Sequence, residues 1–121
     1  MPIPSPYVLQ YRTMPYLVQQ IHNQIREELT DQFVSTTHDH WSSKDGKVCL
    51  FSSTAHYLTQ DFHPQSLILS AKEFDVAKTG INTAASIDDT LKQFKLDKRY
   101  AGGTTDGAST MSAAFDILDE P

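Results

Sequence analysis

Asp39 and Asp106 are the two carboxylates whose positions suit chemistry. Asp39 closes a short β-branched run, Phe33 to Asp39 (F-V-S-T-T-H-D), and Asp106 follows a second run, Arg99 to Thr105 (R-Y-A-G-G-T-T). If these runs are parallel neighbours in one sheet, their C-terminal ends lie side by side, about 5 Å apart. Two carboxylates that close repel each other, and a divalent cation between them relieves the repulsion. Hard oxygen ligands suit Mg²⁺ or Mn²⁺. An ion so held generates a nucleophilic hydroxide and stabilises the leaving oxygen in phosphodiester cleavage. Both residues also have ordinary uses, Asp39 to open a turn and Asp106 to cap a helix. Spacing leaves the two readings open.

Other groups compete for attention. His38 and His40 share one face of a strand, half of a zinc site that His56 or His63 could complete. Alternation puts them opposite Asp39, so the zinc and aspartate readings need different pockets. Trp41 is expected to pack under the turn that follows it. Gly102-Gly103 lacks the spacing of a phosphate loop, and Ser109 lacks the context of a hydrolase nucleophile. Lys92, Lys95, Lys98 and Arg99 cluster near a helix end, where cations suit the dipole.

These residues need elements to hold them. Residues 1–13 read as an irregular lead-in and 14–31 as an N-terminal helix, with Met14, Leu17, Val18, Ile21, Ile25 and Leu29 at helical spacing and Pro15 in the first turn. Residues 32–121 hold the rest. Strand Phe33 to Asp39 is followed by Ser42 to Gly46, with Asp45-Gly46 a favoured hairpin pair. Strands Lys47 to Leu58 and Gln65 to Lys72 complete an antiparallel set. Ala84, Ile87, Leu91 and Phe94 mark a helix, with Ser86 and Asp89 as a capping box near its start. Strand Arg99 to Thr105 comes next, then a helix with Ala108, Met111, Phe115 and Leu118 on one face. The reading is an α/β fold whose mixed sheet has three antiparallel strands plus one parallel strand, in the order 3-2-1-4, with flanking helices.

Composition narrows the functional classes. Hydrophobic residues at 39% and charged residues at 21% are those of a globular chain rather than a disordered one. There is no apolar run near the ~20 residues of a membrane span, no signal-peptide pattern, and Cys49 is the one cysteine. Together these lead to an expectation of an intracellular protein without membrane contact. A net charge of −5 argues against strong unaided nucleic-acid binding, whose affinity comes largely from neutralised phosphates.

Several motifs, taken in order, carry a resemblance. Thr36-Thr37-His38-Asp39-His40-Trp41-Ser42-Ser43 resembles the T-x-D-x-W-T-S signature of hAT-superfamily transposases. Thr54-Ala55-His56-Tyr57-Leu58 matches their T-A-H-[FY]-[IL] stretch, and Gln65 to Leu69 falls where they have a third strand. Thr79-Gly80-Ile81-Asn82 is similar to H-T-G-x-N-I, and Thr104 to Met111 to T-D-N-A-x-N-M, with Gly107 and Thr110 in place of asparagines. Tyr7 to Thr13 faintly resembles the family's Y-x-L-P-S-R-x-T entry. The resemblance implies a truncated RNase H-like catalytic core. In it Asp39 and Asp106 are two of three acidic ligands for Mg²⁺ or Mn²⁺, DNA is the substrate, and the location is nuclear. The family's third ligand, a glutamate, is expected beyond Pro121. The isolated chain is therefore expected to be inactive, with Arg99 to Thr105 an exposed edge strand open to self-association. The alternatives are a domesticated, non-catalytic DNA- or protein-binding or regulatory module, and a decayed fragment.

Overall fold

A computed structural model describes residues 3–96, 100–105 and 109–118. Its elements run α1 (Pro6–Val8), a π-helical turn (Leu9–Thr13), α2 (Met14–Glu28), β1 (Val34–Ser42), β2 (Cys49–Leu58), β3 (Pro64–Glu73), α3 (Gly80–Gln93), β4 (Tyr100–Thr104) and α4 (Ser109–Leu118). The strands form one sheet in the order β3-β2-β1-β4. β1 pairs antiparallel with β2, β2 antiparallel with β3, and β1 parallel with β4. The α/β fold, the strand order and the single parallel pair agree with the sequence reading.

Alternation makes the sheet two-faced. In β1, Val34, Thr36 and His38 are buried while Ser35, Thr37, Asp39 and Trp41 are exposed. The inner face meets the helices in a core that includes Phe51, Leu69, Ile87, Phe94 and Met111. A bulge between Ser53 and Thr54 pairs Ser53 with Ser70 but Thr54 with Ile68, leaving Leu69 as the extra residue. Leu69 can then be buried while the adjacent Ile68 is exposed.

α3 begins earlier than the capping box at Ser86 suggested. Thr79 is the N-cap, and its hydroxyl accepts from the Asn82 backbone N–H at 3.2 Å. The Asn82 side chain donates to the Ala77 carbonyl at 2.8 Å, tying the lead-in loop to the first turn. Gly80 lies against α4: a Cβ there would sit 2.7 Å from that of Ala113. The helix ends in a Schellman motif, in which Lys95 N–H bonds the Lys92 carbonyl and Leu96 N–H the Leu91 carbonyl. Lys95 takes the left-handed conformation, φ 58°, and Leu96 is buried.

The lead-in is helical from Pro6, not irregular to residue 13. Ser5 caps its start by accepting from Val8 N–H. Pro15 therefore lies inside a continuous helical segment instead of at its beginning. Proline has no N–H for the carbonyl four residues back and its ring crowds that carbonyl. The π turn just before it, closed by Met14 N–H on the Leu9 carbonyl, widens the backbone where that crowding falls. α2 joins the body at its C-terminal end, where Ile25 and Leu29 are buried and Arg26 Nε donates to the Gln93 carbonyl at 2.8 Å. Among the described residues no helix is long and apolar enough to cross a membrane.

Candidate functional site

Asp39 is not at the end of its strand. The ladder with β2 continues past it through His40–Phe51, Trp41–Leu50 and Ser42–Cys49, and is closed by Ser43 N–H on the Val48 carbonyl. The loop beyond is a turn from Ser43 to Gly46, with Gly46 at φ 72°. Asp45 accepts from the Ser43 hydroxyl and the Lys47 N–H, which hold its carboxyl below the ordinary range. The pairing with β4 stops sooner, at Thr37 opposite Thr104. Asp39 thus stands just past the end of the parallel ladder, where the sheet narrows, with Ser52 as its β2 partner. Asp106, two residues beyond Thr104, lies outside the described residues, as do Lys98, Arg99 and Ala108.

Around Asp39 the uncovered face is rich in hydroxyls. Thr37 Oγ1 is 3.0 Å from His56 Nε2, and His56 Nδ1 is 2.8 Å from Ser66 Oγ. This chain crosses β1, β2 and β3 on the side that carries Asp39. Sequence reading missed Thr37; its signal was parity, since Thr37, Asp39 and Trp41 alternate onto one face. Trp41 is 58% exposed on that face rather than packed under the turn, because β1 runs past it to Ser42.

The histidines divide as alternation requires. His38 is buried, with Nε2 2.7 Å from Thr36 Oγ1 and Nδ1 2.8 Å from Ser53 Oγ. Burial pushes its pKa down to about 4. His40 packs on Phe51 and Phe74, with Nε2 3.2 Å from Thr83 Oγ1. The ring nitrogens of His38 are thus engaged on the inner face, while His56 is engaged on the outer. The zinc reading that joined them has no geometric basis, and no group of three metal-ligating side chains occurs among the described residues.

The motif T-A-H-Y also acquires a physical account. Ala55 is buried beneath the helices, His56 points to the hydroxyl chain, and Tyr57 turns inward with its OH 3.3 Å from Glu28 Oε2.

A family model described as the ZBED1 RNase-like domain matches residues 37–121. The chain belongs to this family. The matched segment starts at Thr37, so it contains Asp39 and everything from β2 to α4 but not α2. As a ZBED1 RNase-like domain, the chain is a transposase-derived domain of the hAT/ZBED type. No curated protein sequence matches it.

Proposed function

We propose that this ZBED1 RNase-like domain represents the catalytic-core region of a hAT-type DNA transposase, with Asp39 and Asp106 as the acidic pair that holds Mg²⁺ or Mn²⁺. The observation that carries the reading is the parallel register of Thr37 with Thr104, each two residues before one of the aspartates. The donor set fits such an ion: Asp39 is an exposed carboxylate on a face lined by hydroxyl oxygens, all hard ligands. When bound, the ion supplies an activated water and charge stabilisation for phosphodiester cleavage. The chain's own part is to hold Asp39 rigidly through the β1–β2 ladder and to keep that face open to a nucleic-acid strand. Nuclear location and DNA as partner belong to the same reading. Two carboxylates by themselves leave such an ion largely hydrated, so binding by this pair alone is weak.

Mn²⁺ titration followed by electron paramagnetic resonance tests the pair directly. Weak binding that Asp39→Asn and Asp106→Asn each abolish supports the reading, while binding indifferent to both substitutions overturns it. A second reading, a non-catalytic protein-binding module descended from a transposase, is favoured by the net charge of −5 and the exposed apolar arm. It predicts no effect of either substitution on partner binding.

A further inference from the structure

We propose that the chain pairs with a second copy of itself through its N-terminal helical arm, the two α2 helices lying antiparallel about an axis between Leu17 and Val18. Met14, Leu17, Val18, Ile21, Ile25 and Leu29 form one continuous stripe at helical spacing. The body covers only its lower end. Ile25 and Leu29 are buried, whereas Met14, Leu17, Val18 and Ile21 are 55%, 48%, 45% and 54% exposed. Ahead of them Tyr7 and Tyr11 pack ring on ring at 4.9 Å and are themselves exposed.

The chemistry of the arm suits a copy of itself. From Pro6 to Gln24 the one Lys, Arg, Asp or Glu is Arg12. Depletion of charge with enrichment in tyrosine and methionine is the composition of an interface core, not of a solvated helix. Placing Leu17 beside the partner's Val18 sets Met14 beside the partner's Ile21, and Arg12 beside the partner's Asn23, so no like charges meet. It also brings Tyr11 to the partner's Gln24 and Tyr7 to the partner's Glu28. There a hollow of about 430 Å³ opens between α2 and β3, lined in part by Ile21, Gln24, Ile25, Leu67 and Ile68. The exchanged tyrosine pair fills that hollow and covers Ile68, which is 67% exposed in the single chain.

The direction of pairing follows from the body. It is fastened to the C-terminal end of α2 by Ile25, Leu29 and the Arg26–Gln93 hydrogen bond. Antiparallel arms set the two bodies at opposite ends, whereas parallel arms crowd them at one end. Half-exposed side chains of this size offer about 100 Å² each, so six from each copy bury on the order of 1,200 Å², enough for a specific pair.

Sedimentation velocity across a concentration series, on the whole chain, tests the proposal. A monomer–dimer equilibrium is expected, weakened ~100-fold or more by Leu17→Arg with Val18→Arg. Both side chains are about half exposed, and circular dichroism confirms that the variant folds. In a Cys49→Ser background, Leu17→Cys is expected to form an interchain disulfide under mild oxidation and Tyr7→Cys is not. Three results would overturn the proposal: a chain monomeric at every concentration, which assigns the stripe to a different partner; a dimer that survives the arginine pair, which moves the interface to the β4 edge; and a disulfide through Tyr7→Cys as well as through Leu17→Cys, which makes the arms parallel.

Discussion

Thr37 of β1 and Thr104 of β4 are register partners at the last rung of the parallel ladder, and both are exposed. Beyond that rung, among the described residues, β1 pairs only with β2, and Asp39 stands opposite Ser52. A carboxylate placed there is held in position by backbone pairing with β2.

Because Asp39 is exposed, its removal should leave the fold intact. Asp39→Asn is expected to change stability by no more than about 0.5 kcal/mol, measured by urea denaturation. A loss of several kcal/mol would assign Asp39 a structural role.

His38 should make the domain acid-sensitive. Its folded pKa, about 4, lies below its ordinary value, so the unfolded chain takes up a proton first. The contribution is fully present above pH 6.5 and is lost as pH falls toward 4, by about 3 kcal/mol once complete. Urea denaturation between pH 7 and pH 4 should show this slope, and His38→Leu should flatten it while lowering stability at pH 7. An unchanged slope in the variant would mean that other groups drive the acid sensitivity.

Gly80 should resist even a single methyl group. Gly80→Ala would bring its Cβ within 2.7 Å of the Ala113 Cβ and within 3.3 Å of the Ala114 nitrogen, forcing α3 and α4 apart. The expected cost is about 1–3 kcal/mol by thermal or chemical unfolding. Ala85, exposed on the same helix, is the contrasting position, where Ala85→Ser should cost far less.

Lys95 carries the opposite expectation. It holds a left-handed conformation that a side chain disfavours by roughly 1–2 kcal/mol. Lys95→Gly is expected to raise the unfolding midpoint, since the Schellman hydrogen bonds come from backbone groups and survive the change. A lower midpoint would show that the lysine side chain contributes more than the strain it causes.

Among the described residues β4 is an edge strand with one paired neighbour, and it carries adjacent glycines, Gly102 and Gly103. Its amides should exchange much faster than those of Phe51, Ser53 and Ala55 in β2, which has a strand on each side. Protection equal to that of β2, persisting at low protein concentration, would mean that the outer edge of β4 is covered.

Much of this architecture is legible in the residues alone. The β-branched runs, the Asp45-Gly46 turn and the return to helical spacing at Ala84 yield the element order, and period-two alternation sorts Thr37, Asp39 and Trp41 from Thr36, His38 and His40. These features are local, set by the pleat and the helical pitch, and so need no knowledge of the rest of the chain. Where a strand stops pairing is not local. β1 reaches Ser42 because β2 continues opposite it, which is why Asp39 sits inside the strand and Trp41 is exposed. Thr79, not Ser86, caps α3 through its hydroxyl, and the first turn so placed sets Gly80 against Ala113 on α4, a contact between positions far apart in sequence. The stripe from Met14 to Leu29 has one helical period throughout, yet only Ile25 and Leu29 are buried. Periodicity says which face is apolar; the tertiary structure decides how much of that face finds something to cover it.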